Sequence, residues 1–437
     1  MRTKTFKQGI HPPEKKQLSK EKKIEKMPLP PKLIVPLVQH TGAPCKPLVG
    51  KKDKVEEGQK IGDSDAFISC PIHSPVKGKV TSIERWPHPT LQEAEAIIIE
   101  SEQDSEKDWP EKEVDLSSLS PEEIRKKVRE AGIAGMGGAA FPTHVKLSPP
   151  SEKKIDSVIL NGCECEPYLT SDYRTMLERP QDCLFGLKAI MRAVGARRGY
   201  IGIENNKKDA IKIMQNLTSN EEDIEVVPLR TKYPQGGEKM LIKAILGREV
   251  PSGGLPLDVG VVVNNVGTAC AVCDALKKEK PLIERVVTVT GEGVKRPSNL
   301  LVRIGTPLKD ILEYCGLKEN AKAIIMGGPM MGIAQHTLDV PVIKGTSGIL
   351  VLTEEQIARD EEQPCIRCCR CVDHCPVGLF PTTLAKLVKA ERWEELGEYN
   401  IMDCIECGCC TYVCPSKIPI VQLIKWGKNE FRKIKKS

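Results

Sequence analysis

The sequence predicts a multidomain chain of α/β plus β class, closed by a small helical unit. Three observations carry this. Strand-like and helix-like segments alternate between Lys154 and Gly267, the pattern of an α/β sheet. Short, glycine-broken strand patterns flank that stretch, at Leu33–Glu100 and Val286–Pro307. Near the C-terminus two cysteine runs are separated by helical spacers such as Leu384–Leu396. A chain of 437 residues accommodates roughly three to five such units.

Composition narrows the function classes. A formal charge of +6 with 4% aromatic residues suits neither phosphate-backbone binding nor base stacking. No run of about eighteen apolar residues occurs, so no spanning helix is expected. The basic, polar N-terminus does not read as a signal peptide.

Residues 1–31 form a basic arm with Lys15, Lys16, Lys20, Lys22, Lys23 and Lys26, ending in the stiff Pro28, Pro30, Pro31. Residues 418–437 end in Arg432, Lys433, Lys435 and Lys436, after Ile420, Leu423, Ile424 and Phe431 at helical spacing. Both ends are expected to be solvated and partly disordered at their extremes, the alternative being docking to a membrane complex or anionic surface. The segment 418–434 is expected to pack on its neighbours as a helix.

Residues 32–100 read as a small β-sandwich whose halves look alike, Val55–Gly62 and Ser74–Val80. The charged stretch Ser101–Ser120 is a linker. Ser120-Pro121-Glu122-Glu123 combines an N-cap, a first-turn proline and a capping-box glutamate, and predicts a helix to about Ala131.

Gly135-Met-Gly137-Gly138-Ala-Ala-Phe141-Pro-Thr143 contains GxGxxA but follows a helix, not a strand. It therefore fits a dinucleotide fingerprint poorly and a backbone nest for a phosphate or flavin better. Lys146 adds a nearby positive charge. Strands are expected at 155–160, 199–204, 224–229 and 259–263, with helices at 181–194, 209–217 and 238–246. Asn161 and the Asn264–Asn265 pair fall at strand ends, where such sheets bind ligands. Capping of loops is the ordinary alternative for asparagines there, and a solvated turn is the alternative for Glu164 and Glu166. Strands at 286–290, 300–304 and 323–326 and a helix at 308–314 follow, then the turn Gly327–Gly332, whose Met330 and Met331 are expected in the core.

The cysteine runs are Cys365-x2-Cys368-x2-Cys371-x3-Cys375-Pro376 and Cys404-x2-Cys407-x2-Cys410-x3-Cys414-Pro415. Three close thiolates hold one [4Fe-4S] cluster, and the fourth crosses to the other. The expected sets are Cys365, Cys368, Cys371 with Cys414, and Cys404, Cys407, Cys410 with Cys375. Zinc favours paired CxxC ligands, and disulfides favour small secreted domains. Cys369 and Cys409 lie off the spacing and are expected to be spectators.

Taken together these motifs resemble the C subunit of the Rnf ion-translocating ferredoxin:NAD oxidoreductase, over nearly the whole length. Phe6-Lys-Gln-Gly9-Ile10-His11-Pro12-Pro13 is close to the FxGGIHPP opening of that family, with Gln8 at a glycine position. The 135–143 loop, Asn161-Gly-Cys-Glu164-Cys-Glu166-Pro167, Gln235-Gly-Gly-Glu238 and Val263-Asn264-Asn265-Val266 are similar to the flavin-binding subunit of respiratory complex I. The resemblance implies a biotinyl/lipoyl-like barrel-sandwich at 32–100, an FMN/NADH-binding α/β domain at 115–280, an SLBB-like β-grasp module at 281–340 and a helical two-cluster ferredoxin domain at 354–417. The barrel-sandwich lacks a carrier lysine at Ser64-Asp-Ala66, so it is expected to be structural.

The resemblance further implies non-covalent FMN, NADH as substrate and two [4Fe-4S] clusters, with electrons passing to or from partner subunits. The protein would sit peripherally on the cytoplasmic face of the membrane, held by those partners. Gly135, Gly137, Gly138 and Lys146 would hold the FMN phosphate side. Asn161, Asn264 and Asn265 would bond the flavin or ribityl chain, and Phe141 would stack on NADH. Glu164, Glu166 and Glu238 would bond NADH hydroxyls or its amide. Cys163 and Lys239 replace acidic residues of the complex I pattern, which bears on the nucleotide contacts. A soluble cobalamin reductase with the same cofactors and a flavin-free electron relay are the alternatives.

Overall fold

The computed structural model describes residues 3–103, 106–357 and 361–435. Lys436 of the expected tail, residues 104–105 of the expected linker and residues 358–360 lie outside the described residues.

The N-terminal arm packs along the molecule through its apolar residues and Lys16, while Lys15, Lys20, Lys22, Lys23 and Lys26 are exposed, as expected of solvated charges. Phe6 and Ile10 are buried, and Lys4 and Ile10 bridge to Leu229 and Tyr233. Strand β1 (Ile24–Lys26) pairs in parallel with residues 299–301. Lys16 is 7% exposed. Its ammonium donates to the carbonyls of Glu164 at 2.8 Å, Glu166 at 2.9 Å and Leu169 at 2.5 Å. A lysine can be buried when its head finds such acceptors and its stem packs against apolar groups; a count of positive charges does not show this.

The β-sandwich contains β2 (Lys32–Pro36), β3 (Lys46–Pro47), β4 (Lys54–Val55), β5 (Lys60–Asp63), β6 (Ile72–His73), β7 (Gly78–Pro87) and β8 (Glu93–Ser101). They form antiparallel sheets ordered β2-β8-β7-β4 and β3-β5-β6. Leu33, Val35, Ile97 and Ile99 enter one core, whereas the intervening Ile34 and Ile98 meet Trp86 on the other face. This is the two-residue period of a pleated strand.

The α/β unit runs α1 (Pro121–Glu130), α2 (Thr143–Lys146), β9 (Ser157–Asn161), α3 (Ser171–Glu178), α4 (Pro180–Val194), β10 (Arg198–Glu204), α5 (Lys208–Leu217), β11 (Ile224–Leu229), α6 (Glu238–Leu246), β12 (Val261–Asn265) and α7 (Val266–Lys277). Both bonds of the Ser120–Glu123 capping box form. The four strands are parallel, in the order β11-β10-β9-β12. The chain steps outward from β9 to β11, then returns to place β12 on the other side of β9. The β9/β12 boundary is thus a topological switch point, where a crevice opens beyond the strand ends.

Helices α3 and α7 were not expected. Thr170 gives α3 no side-chain cap. The carboxylate of Glu164 does so instead, accepting from Asp172 N at 2.7 Å and Tyr173 N at 3.3 Å.

The next unit contains β13 (Glu284–Thr290), β14 (Ser298–Arg303), α8 (Leu308–Cys315), β15 (Ala321–Met326), β16 (Ile333–Ala334) and β17 (Gly348–Thr353). The arm completes its sheet, in the order β1-β14-β13-β17-β15-β16. Met331 is 49% exposed and Met330 half-buried, so the pair is not core. Their backbone amides donate to the Glu166 carboxylate at 3.1 and 2.9 Å.

The C-terminal unit contains α9 (Arg370–Asp373), α10 (Pro381–Lys389), α11 (Cys409–Tyr412) and α12 (Ile420–Ile434). Val421, Ile424 and Phe431 of α12 share a core with Leu384 and Val388 of α10. Among the described residues no helix is long and apolar enough to cross a membrane.

Candidate functional site

Two neighbouring strands deliver the asparagines. Asn161 of β9 and Asn265 of β12 are direct cross-strand partners at the switch point. Asn161 donates from Nδ2 to Gly236 O at 2.9 Å and accepts from Cys163 N at 3.1 Å. Asn265 caps α7, accepting from Gly267 N at 2.8 Å, and donates to Asp172 Oδ2 at 2.6 Å. Both are therefore occupied in holding loops. Asn264 differs: it is 4% exposed, and its Nδ2 has no partner. A buried unpaired donor costs about 1–3 kcal/mol, which a ligand acceptor would recover.

The glycine-rich loop is held from outside and open at its centre. Gly135 N donates to Phe141 O at 2.8 Å, and Met136 N to Thr268 Oγ1 at 3.0 Å. Thr41, from the β-sandwich, donates from N to Ala140 O at 3.2 Å and from Oγ1 to Ala139 O at 2.6 Å. At Gly138 φ is +88°, and a Cβ there would meet nothing within 4 Å. Backbone conformation alone requires glycine here. Gly137 lies against Asn265, its would-be Cβ 3.2 Å from Nδ2. Phe141 is half-buried beside the loop. Lys146 Nζ donates to Glu238 Oε1 at 2.9 Å and to Val263 O at 3.1 Å. An open glycine cradle, a cation and an orphaned amide beyond parallel strands fit a phosphate-bearing planar cofactor.

The glutamates divide. Glu238 stays half-exposed beside Lys146. The Glu164 side chain is 3% exposed and caps α3, and Glu166 accepts from the Met330–Met331 amides, so both carboxylates are already engaged by backbone amides. Burial pushes the Glu166 carboxyl up to about 7. Burial, then the charge of Glu164, pushes Asp172 to about 7 as well. Sequence reasoning passed over Asp172, Thr268, Thr41 and the buried Glu204–Lys207 pair (3.2 Å). Thr268 was detectable as a hydroxyl just beyond Asn264–Asn265; nothing in the sequence linked Thr41 to a loop about a hundred residues away.

The cysteines gather in two groups. Cys375, Cys404, Cys407 and Cys410 line one small cavity. Burial pushes the Cys404 thiol to about 11 and Cys410 to about 12, with the other thiols of the group adding. Iron must displace those protons, so loading is coupled to proton release. In the other group, burial raises Cys371, and Cys414 and Cys365 contribute through their charge. Cys365 and Cys368 are exposed. Off the spacing, Cys369 is exposed and Cys409 is fully buried beside the first cavity. Four converging thiols with apolar walls fit a cubane cluster.

Four family models match: the RnfC barrel sandwich hybrid domain at 4–104, the Nuo51 FMN-binding domain at 128–274, the SLBB domain at 286–334 and the 4Fe-4S dicluster domain at 364–418. The chain thus carries an FMN-binding domain and a two-cluster domain. The C subunit of the proton-translocating ferredoxin:NAD(+) oxidoreductase complex of Clostridium ljungdahlii is 49% identical, over 98% of this chain and 94% of that one. The Na(+)-translocating counterpart of Acetobacterium woodii is 44% identical, over 98% and 97%. The C subunit of the ion-translocating oxidoreductase complex of Rhodobacter capsulatus is 41% identical, over 97% and 82%. Among solved structures, a chain of an air-oxidized NAD+-reducing [NiFe]-hydrogenase superposes with a TM-score of 0.49 at 20% identity, over 64% of this chain and 54% of that chain. With near full-length identity to several members and its four domains in order, this chain belongs to the C-subunit family of ion-translocating ferredoxin:NAD(+) oxidoreductase complexes.

Proposed function

We propose that this chain is the NAD(H)-facing module of such a complex and itself catalyses electron exchange between NADH, FMN and two [4Fe-4S] clusters. The observation that carries this is the end of β12, where the glycine loop lies against Asn265, Lys146 bonds Val263 O and Glu238, and the intervening Asn264 amide has no partner. Held there, FMN would supply the conversion between a two-electron hydride donor and one-electron clusters.

The residues divide the work. Backbone amides of Gly137 and Gly138, with Lys146, would hold the phosphate end, while Gly135 closes the loop beneath it through its bond to Phe141 O. Asn264 bonds the flavin side, with Asn161 and Asn265 fixing the strand ends beneath it. Phe141 offers an aromatic face to NADH, and Glu238 an acceptor to its hydroxyls. Glu164 and Glu166 act as positioning residues that hold the 161–167 loop. Cys365, Cys368, Cys371 and Cys414 ligate one cluster, and Cys404, Cys407, Cys410 and Cys375 the other. Partner subunits hold the chain peripherally at the cytoplasmic face of the membrane.

The test is an anaerobic spectrum of the iron- and FMN-reconstituted chain before and after NADH. Bleaching of flavin and cluster bands is expected. Cluster absorbance without bound flavin, and no response to NADH, would reduce the chain to a relay.

A further inference from the structure

The two cysteine groups stand differently toward the rest of the chain. Among the described residues, contacts beside the second cysteine run attach the C-terminal unit to the other domains. Tyr233, 1% exposed, donates from Oη to Cys407 O at 2.8 Å. Asp403, next to Cys404, accepts from Gly253 N at 3.0 Å and Ser252 Oγ at 2.5 Å. Met330 O lies 3.1 Å from where a Cβ of Gly408 would stand.

Tyr233 also leads to the flavin crevice. Three residues on, Gly236 N donates to Cys165 Sγ at 3.3 Å and Gly236 O accepts from Asn161 at 2.9 Å. The arm clamps this segment, Ile10 and Tyr233 exchanging backbone bonds of 2.8 and 2.9 Å. Ile10, Tyr233, Cys407 and Cys409 share one apolar cluster, with Cys165 packed against it. In the first run, by contrast, Cys365 and Cys368 are exposed and Ile366 is 68% exposed.

We propose that the cluster held by Cys404, Cys407, Cys410 and Cys375 is the flavin-facing one, reached through the Tyr233–Gly236 segment, and that the cluster held by Cys365, Cys368, Cys371 and Cys414 is the outlet. Tyr233 is the positioning residue of the junction. This rests on the FMN and cluster sites read above. Electrons balance: one hydride leaves NADH as NAD+, its two electrons end one on each cluster, and the flavin's proton goes to solvent. Burial of the inner cluster keeps outside oxidants from intercepting the first electron, while the exposed cluster meets the external partner.

The test uses the reconstituted full chain, freeze-quenched after NADH and read by electron paramagnetic resonance, with dithionite reporting which clusters are assembled. In Cys368→Ala, NADH is expected still to reduce the remaining cluster, and many times faster than in Cys410→Ala. In Cys410→Ala, the flavin is expected to be reduced while the remaining cluster, reducible by dithionite, stays oxidised on the wild-type timescale. Tyr233→Phe should alter the spectrum of the cluster that survives in Cys368→Ala and leave the other unchanged. The reverse pattern in the two cysteine variants, or equal rates in both, overturns the order. Where NADH leaves the flavin oxidised, light reduction of the bound FMN replaces it, so failure of the nucleotide reading is seen separately.

Discussion

Replacing Lys16 by methionine removes an ammonium and leaves its apolar stem in place. Three carbonyls, of Glu164, Glu166 and Leu169, then lose their donor in a buried site. Bonds to a charged donor contribute about 1.5–3 kcal/mol each, so the gross loss is about 5–9 kcal/mol. The lysine's desolvation cost, seen in its lowered pKa, is recovered on removal. The net loss should then be near the figure for breaking a buried ionic contact, about 3–5 kcal/mol. At about 2–4 °C per kcal/mol for a unit of this size, the melting transition of the apo chain should fall by about 6–20 °C. Differential scanning calorimetry reads the shift, and limited proteolysis reads whether the arm has detached. Lys23→Met, at an exposed position of the same arm, should change neither. A Lys16→Met transition within about 2 °C of wild type, with the arm still protected, would refute the idea that this lysine anchors it.

Asn264→Leu removes the unpartnered amide at nearly constant volume. FMN affinity should weaken about tenfold, by fluorescence titration, while the apo chain melts no lower than wild type because an orphan donor has gone. Glu166 has a folded pKa of about 7 against an ordinary 4.5. The native state therefore keeps a proton that the unfolded chain has released between those values. Stability should fall as pH rises through that window and level off above it, by roughly 3 kcal/mol in all. Urea titrations from pH 5 to 8 should show a slope in wild type that is reduced by this amount in Glu166→Gln, Asp172, also pushed up to about 7, supplying the remainder. Gly186→Ala places a Cβ 2.1 Å from Ala269 O, between α4 and α7. Neither helix backbone can yield cheaply, so a loss of at least about 2 kcal/mol is expected in thermal unfolding.

The parallel strands and most helices of the α/β unit were legible because their signals are local. The Ser120–Glu123 capping box marks a helix start on its own, and β11 and α6 follow their apolar periods. Helix α3 was not legible because its cap, Glu164, sits outside it and reaches it only through the fold. Helix α7 was hidden behind Asn264–Asn265, which read as a strand end and serve as a helix start too. The cofactor motifs were found by residue type and order, yet type does not give direction. Glu164 and Glu166 face structural amides, and only the coordinates separate them from Glu238. Lys16 and Tyr233 were missed for a related reason: what each does depends on groups over a hundred residues away.

The strap formed by the arm has a consequence for the order of events during synthesis. Ile24 pairs with Asn299, and Ile10 with Tyr233. On the ribosome those partners emerge long after the arm does. At ordinary elongation rates the arm waits on the order of tens of seconds with Phe6 and Ile10 uncovered. The chain's first residues are thus among its last to find their places, and the junction they clamp closes only after the α/β sheet is complete.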